Sequence, residues 1–363
     1  MANVVNDELI NISVRNQALL EAVKNGLNDK FRKRLVVLQK RVNDAILTAP
    51  DVQTSKKVAK EIERAVNAIQ VEIYAEYLAE FNKDLAEVGV SQAGIEAASY
   101  GTVVADYKAV KPTLQQVVTA YTATPLQVEN YAGNPILESF TKDYSKKEIK
   151  RVNKAVSDGF LRGETNAQIA RNIKGTKALN YKDGILQKAD NANRSMVRTA
   201  VQHVATQSRM ETMKRNNDLV NGYRIIVTFD SRTTTLCMDI GQRNETYKIG
   251  KGPMPPLHFG CRDSVTPALD SSFDFLKQGA TRASKGAEGG KQVDAKLGSY
   301  DWMLKQPVKF QEMSLGVARS KLLRDGGLTP TEFAKLSTNN NNVVLTLEQM
   351  KIKAPLVFER AGL

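Results

Sequence analysis

The chain has 363 residues, of which 42% are hydrophobic and 25% are charged, and it carries a net charge of +13. This composition is typical of a soluble globular protein, and the length is sufficient for two or three domains. No apolar stretch approaches the roughly 18 residues that a membrane-spanning helix needs, so we expect no membrane span. The first eight residues lack the basic and apolar segments of a secretory signal, so we expect synthesis in a reducing cytoplasm.

The first third of the chain predicts two long amphipathic helices. Apolar residues recur every three or four positions from Leu20 to Ile46 and again from Val58 to Leu85. A short connection after Pro50 would make the two helices antiparallel. We interpret residues 1–98 as a helical hairpin that could serve as a partner-binding arm.

A hinge and a second helical region follow. Residues 99–134 contain scattered prolines and glycines, which are typical of a boundary or hinge, with room for a short helix at 113–120. Helical periodicity returns from Pro135, and it predicts a long last helix from about Asp183 to Asn216. The alternation of apolar residues at 223–229 then predicts a strand.

Two more short strands, near residues 246–248 and 262–265, would complete a small sheet. We call residues 222–268 the β knob; between Cys237 and Pro255 it is predicted to be turn-rich. The Gly-rich stretch at 269–298 predicts a linker, and residues 299–363 predict an extended tail of short helices. This tail has little core of its own, so we expect it to pack on the body or on a partner. The predicted fold is mainly α with a small β region (α+β).

The positive charge is concentrated in one part of the chain. Residues 138–215 contain 17 Lys and Arg against 8 Asp and Glu, which is a net +9 out of +13. Such a concentrated field attracts phosphate backbones without reading base sequence. The candidate nucleic-acid contacts are Lys146, Lys147, Lys150, Arg151, Lys154, Arg171, Lys174 and Lys177. The alternative is a solvated helical surface on which the lysines only aid solubility.

Both cysteines of the chain, Cys237 and Cys261, and one of its two histidines, His258, lie in the β knob. Cysteine and histidine are preferred zinc ligands, and a small sheet with few apolar residues gains stability from a metal clip. The candidates for a fourth ligand of a structural zinc are Asp230, Asp239 and His203. A buried thiol and imidazole network is an equal alternative, and a disulfide is less compatible with a reducing cytoplasm.

Asp230 and Arg232 come directly after the predicted strand. They could be a catalytic carboxylate beside a phosphate-binding arginine. We prefer a structural interpretation, in which the Asp230 carboxylate accepts the backbone N–H groups of Arg232 and Thr233 and fixes a turn. Arg232 would then bridge to carbonyl groups or to Asp263.

Several enzyme classes do not fit the sequence. It contains no phosphate loop of the G-x-x-x-x-G-K-[ST] type. The order Cys, then His-x-x-Cys, departs from zinc deaminases, which need a glutamate beside a ligand. A thiol hydrolase built on Cys237 and a histidine would need an orienting Asn or Asp that the sequence does not identify. We therefore expect no catalytic residues; the alternative is a metal- or thiol-dependent enzyme, or a toxin-like effector, that acts on nucleic acid.

The pattern D-x-R-T-T-x-x-C, from Asp230 to Cys237, is followed about twenty residues later by P-P-x-H-x-x-C-R. Together they resemble the phage head morphogenesis family, the phage Mu F-like minor head proteins. The resemblance covers roughly 135–268, and residues 300–319 are similar to the tail of versions from short-tailed phages. The motif residues are Asp230, Arg232, Thr233, Cys237, Pro255, Pro256, His258, Cys261 and Arg262.

The resemblance implies a minor capsid protein of a tailed phage, made in the bacterial host cytoplasm and located in the virion head near the portal vertex. It would act in head assembly and in DNA packaging, retention or ejection. Its partners would be the portal protein or capsid proteins, with packaged DNA at the basic 138–215 segment, and several copies would be present. An internal protein ejected with the genome and a scaffolding factor absent from the virion are further alternatives.

Overall fold

The computed structural model describes residues 7–50, 56–129, 131, 133–270 and 279–363. Within these ranges the chain forms thirteen α helices and two three-stranded sheets, which confirms the prediction of a mainly α protein with a small β region. In the same ranges, no helix combines the length and the apolar character that a membrane crossing needs.

Two long helices, α1 (Asp7–Leu47) and α2 (Lys56–Val103), form the first third of the protein. They are antiparallel, because ion pairs join successive residues of α1 to residues of α2 in reverse order: Lys30 to Asp84, Arg34 to Glu80 and Arg41 to Glu72. The predicted apolar stripes face each other inside this hairpin. The connection after Pro50 lies outside the described residues. Helix α2 continues to Val103, past the predicted start of the hinge at residue 99.

Four further helices complete the helical body: α3 (Leu114–Ala123), α4 (Leu137–Leu161), α5 (Asn166–Lys174) and α6 (Ile185–Arg215). A 3₁₀ turn at Lys177–Leu179 precedes α6. Helix α6 is central, and every residue from Thr199 to Met210 is buried. Helix α3, inside the predicted hinge, packs against this centre. A Cβ atom added at Gly89 of α2 would lie 2.7 Å from the Val117 Cγ1 atom, so this crossing requires glycine.

Two small sheets form around the β knob, and two consecutive strands of the chain belong one to each sheet. In the first sheet, β1 (Val220–Ile226) lies between β3 (Thr246–Lys248) and β4 (Ser264–Leu269), and both pairings are antiparallel. These three strands confirm the three predicted ones. In the second sheet, β2 (Phe229–Asp230) pairs in parallel with β5 (Thr281–Gly286), which pairs in antiparallel fashion with β6 (Gly289–Asp294).

The prediction of a turn-rich spacer after Cys237 is wrong for the first part of that segment, which belongs to helix α7 (Thr235–Arg243). The Thr234 hydroxyl caps the helix by accepting the backbone N–H of Cys237 at 3.4 Å. Asn244 ends it in the left-handed conformation, a role that asparagine tolerates better than most residues. Tertiary burial of Leu236 and Ile240 supplies the rest of the stabilisation.

The prediction of a Gly-rich linker is also wrong for residues 281–294, which form the β5–β6 hairpin. Residues 271–278 of the predicted linker lie outside the described part of the chain. The inward positions of β5 are Arg282 and Ser284, so polar and small side chains hide the apolar alternation that marks a strand. The guanidinium of Arg282 stacks on the Phe229 ring at 3.8 Å, and this contact attaches the hairpin to β2.

The tail consists of six short helices: α8 (Ser299–Leu304), α9 (Val308–Leu315), α10 (Val317–Asp325), α11 (Pro330–Ser337), α12 (Leu347–Lys353) and α13 (Pro355–Arg360). They share one apolar core with the β knob. The Trp302 ring stacks on Phe229 with 5.2 Å between centroids. The tail was expected to pack either on the body of the chain or on a partner. In the structure it packs on the body.

Candidate metal centre

Three motif residues meet where α7 faces the loop between β3 and β4. Cys237 lies in the first turn of α7, whereas His258 and Cys261 lie in that loop, just after the cis peptide bond between Pro255 and Pro256. Their ligand atoms all lie within 4.8 Å of one another, so the group is at metal-binding distance. Both thiols are free of disulfide and fully buried, and His258 is partly exposed.

The proton affinities within this group favour a thiolate at Cys261. Burial opposes that charge, but hydrogen bonds from Cys237 and His258 hold the pKa of the Cys261 thiol well below its ordinary value. Burial and the neighbouring sulfur raise the pKa of Cys237 well above the ordinary value. Burial also opposes a charge on His258, but the Cys261 sulfur raises its pKa to about 9. The thiolate is the form of cysteine that binds metals.

The three predicted fourth ligands lie outside this group of side chains, because each is bound elsewhere. The Asp239 carboxylate accepts the Tyr300 hydroxyl at 2.6 Å and connects α7 to the tail. The His203 Nε2 atom lies 2.9 Å from the Tyr121 carbonyl oxygen in the core of the helical body. Asp230 is held by Arg262.

Asp263 is the carboxylate that lies beside the cysteines. It is 3% exposed, and its Oδ2 atom lies 3.6 Å from the Cys261 sulfur, while its Oδ1 atom accepts the Thr228 backbone N–H at 3.1 Å. Burial, with the Cys261 sulfur beside it, raises the pKa of Asp263 to about 7. Asp263 was not among the predicted ligands, although its position two residues after Cys261 was the available signal.

Asp230 connects the two halves of the sequence motif. Both of its carboxylate oxygens accept hydrogen bonds from the Arg262 guanidinium, which reaches Oδ1 at 2.8 Å. Burial opposes ionisation of Asp230, but this arginine lowers its pKa to about 2. This ion pair connects Arg262, the residue that follows Cys261, to the end of β2. Bidentate pairs of this kind combine strength with fixed geometry.

The turn predicted at Asp230 is present, with two corrections. The Asp230 Oδ1 atom accepts the backbone N–H of Arg232 at 2.8 Å, as predicted. The backbone N–H of Thr233 instead donates to the Asp230 main-chain carbonyl at 3.2 Å, and the Thr233 hydroxyl donates to the Thr228 carbonyl at 2.6 Å. The Arg232 side chain does not reach Asp263. It is 75% exposed and lies 3.4 Å from Asp230.

His203 makes the stability of the helical body sensitive to acid. Burial lowers its pKa to about 4, below the value near 6.5 of the unfolded chain, so the unfolded state binds the proton first. Stability is therefore lost as the pH falls below 6.5. We expect the free energy of unfolding to drop about 2 kcal/mol more in the wild type than in His203→Gln between pH 7 and pH 5. Urea titrations of both proteins test this; an equal drop in the two would contradict it.

The predicted nucleic-acid contacts fall in several places. Three of them, Lys146, Lys150 and Lys154, line one open groove of about 1060 Å³ together with Lys60 and Arg64 of α2. The other five do not line this groove. Lys147 lies over the Tyr131 ring, Arg151 pairs with Glu148, Lys174 lies over the Tyr181 ring, and Arg171 and Lys177 are exposed on and just after α5.

Comparison with protein-family models, with curated proteins and with solved structures found no match to this chain. The resemblance to phage minor head proteins therefore depends on the motif residues themselves. What the structure adds is their arrangement: two motif segments that are separate in sequence meet in one cluster in which both thiols are buried.

Proposed function

We propose that this chain is a minor head protein of a tailed phage, and that its motif is a structural fastening and not a catalytic centre. The observation that carries the proposal is the double connection between the two motif halves. One connection is the Cys237, His258 and Cys261 group, and the other is the ion pair between Asp230 and Arg262. The features on which the resemblance depends are thus the features that hold the β knob together.

The burial of the cysteines favours this role over the alternative of a thiol-dependent enzyme. Both thiols are 0% exposed, whereas a nucleophilic cysteine must reach its substrate. The carboxylate of Asp230, which a catalytic interpretation would need free, is engaged by Arg262 on both oxygens. The thiols and the Asp230 carboxylate are therefore engaged in contacts inside the protein.

We also propose that the cluster holds a structural zinc ion. Cys237, His258 and Cys261 supply three of the four ligands that a closed tetrahedral site needs. Asp263 is our candidate for the fourth: it lies outside the group of three at metal-binding distance, but its Oδ2 atom is 3.6 Å from the Cys261 sulfur, and only its Oδ1 atom accepts the Thr228 N–H. Zinc would neutralise the negative charge that the thiolate and the carboxylate bring into a buried place.

The proposed place in the head comes from the resemblance, and two surfaces of the body are compatible with it. The predicted arm, the α1–α2 hairpin, packs on α4, α5 and α6, so it is its outer face that offers a surface for the portal protein or a capsid protein. The open groove between α2 and α4 is lined by five basic residues and by the acidic residues Glu63 and Asp158, and this excess of positive charge suits the phosphate backbone of packaged DNA. Retention in the head and ejection with the genome are both compatible with this arrangement.

Complementation of a phage that lacks this gene tests the fastening. We expect Cys261→Ser and His258→Ala to lower the melting temperature of the purified chain and the yield of particles in parallel. His203→Gln, which alters the other histidine, should leave the yield near that of the wild type. If Cys261→Ser kept its stability and entered particles normally while an activity on DNA, RNA or protein disappeared, the enzyme alternative would replace this proposal.

A further inference from the structure

An open depression of about 420 Å³ lies next to the Cys/His cluster, and His258 forms part of its wall. Four arginines from three separate segments line it: Arg194 and Arg198 of α6, Arg232 of the turn after β2, and Arg262 before β4. No aspartate or glutamate is among the described residues of its lining. We call this surface the arginine depression.

Two of these arginines have no carboxylate of their own. Arg262 is engaged by Asp230, and Arg198 pairs with Glu21 and donates to Asn25 at 2.8 Å. The Arg194 side chain is exposed, and it has no ion pair within the described ranges. Arg232 has only its 3.4 Å contact with Asp230, whose two oxygens already accept from Arg262. The depression therefore carries an excess of positive charge directed at solvent.

The turn at Asp230 explains how Arg232 reaches this surface. The Asp230 carboxylate fixes the backbone of Arg232 through an N–H···O bond of 2.8 Å, while the Arg232 side chain remains 75% exposed. The D-x-R part of the motif thus places a buried aspartate that pairs with Arg262, and an exposed guanidinium whose only carboxylate contact in the described ranges is the 3.4 Å one with Asp230. A purely structural turn would not need the second feature.

We propose that the arginine depression binds phosphate groups of a duplex DNA backbone. Guanidinium groups suit phosphate because their planar fork donates two parallel hydrogen bonds. The hydroxyls of Ser195 and Thr234, which also line the depression, supply further donors. The choice of DNA as the source of the phosphates rests on the proposed function.

The openness of the depression favours a polymer over a small ligand. Sites for small molecules enclose most of the ligand, whereas this depression is open, and most of the residues that line it are polar or charged. Its single aromatic residue, Phe259, is 44% exposed, and one ring is a poor stacking platform for single strands. A charged, open surface of this kind recognises a backbone without reading bases.

Fluorescence anisotropy of a labelled mixed-sequence DNA duplex, titrated with the purified full chain over a range of salt concentrations, tests the proposal. We expect Arg194→Ala/Arg232→Ala to weaken binding about tenfold and to reduce the slope of log affinity against log salt by about two. The matched control is Lys309→Ala/Lys353→Ala, which removes the same charge from exposed positions of α9 and α12. Both double variants should melt like the wild type, because surface substitutions change stability little.

Three outcomes would overturn the inference. Equal binding by the arginine variant and the lysine control would show that only total charge matters. Loss of binding in Lys146→Ala/Lys150→Ala alone would place the DNA in the α2–α4 groove instead. A loss of binding to single-stranded DNA or RNA in the arginine variant, with duplex binding unchanged, would show that the depression binds a different polymer from the one proposed. These results are independent of whether the chain occurs in phage particles, so this inference and the proposed function can fail separately.

Discussion

Replacing Arg209 by methionine is expected to lower the free energy of unfolding by about 3 to 5 kcal/mol. The Arg209 guanidinium lies inside the protein, with its Nε atom 2.6 Å from the Glu96 carboxylate. It also donates to the hydroxyls of Ser264 at 2.7 Å and Ser13 at 2.8 Å. These contacts connect α6 to α1, α2 and β4. Without the guanidinium, the Glu96 carboxylate stays buried with its main counter-charge gone, and this is the origin of the large cost.

The same helix provides the control. Arg215 forms a partly exposed pair with Glu211 four residues earlier, at 2.9 Å, and Arg215→Met should cost less than about 1 kcal/mol. The double variant Arg209→Met/Glu96→Gln should lose less stability than Arg209→Met alone, because it removes the buried charge as well. Denaturant titration of all three variants decides the matter. Equal losses for Arg209→Met and Arg215→Met would show that the buried pair has no special weight.

Removing metal from the Cys/His cluster is expected to have the second large effect. An ion that binds the folded chain at a thousand times its dissociation constant stabilises that chain by about 4 kcal/mol. For a chain of this length, its removal by a chelator should lower the melting temperature by about 5 °C. Calorimetry with and without chelator, together with metal analysis of the purified chain, measures both quantities.

Single substitutions make this experiment specific to the cluster. Cys261→Ser should contain no zinc, and a chelator should leave its melting temperature unchanged. His203→Gln changes the histidine outside the cluster and should keep both the metal and the sensitivity to chelator. A wild-type chain that contains no metal and melts at the same temperature with and without chelator would contradict the zinc proposal. The cluster would then be a thiolate and imidazolium pair without a metal.

The parts of the fold that the sequence predicted are those with a strong local signal. The apolar stripe from Leu20 to Ile46 is continuous enough to predict α1, and the β-branched alternation at 223–229 predicts a strand that the structure divides between β1 and β2. The convergence of Cys237 with His258 and Cys261 was also predictable, because three residues of two scarce types occur in one short segment.

The parts that were missed depend on tertiary contacts. Helix α7 has only nine residues, and the hairpin of β5 and β6 turns polar side chains inward, so neither produces a periodic apolar pattern. Asp263 became a ligand candidate only when its carboxylate was found beside the Cys261 sulfur. The arginine depression draws its charge from three segments, and no count along the chain could assemble them.

The central claim is that the chain is a structural protein of a phage head, and quantitative mass spectrometry of purified particles tests it most directly. Full particles and particles that have ejected their DNA should be compared. The account predicts the chain in full particles, at fewer copies than the major shell protein. Its presence in emptied particles as well would identify a fixed head protein, and its loss on ejection would identify an internal protein delivered with the genome. Absence of the chain from both kinds of particle would contradict the account.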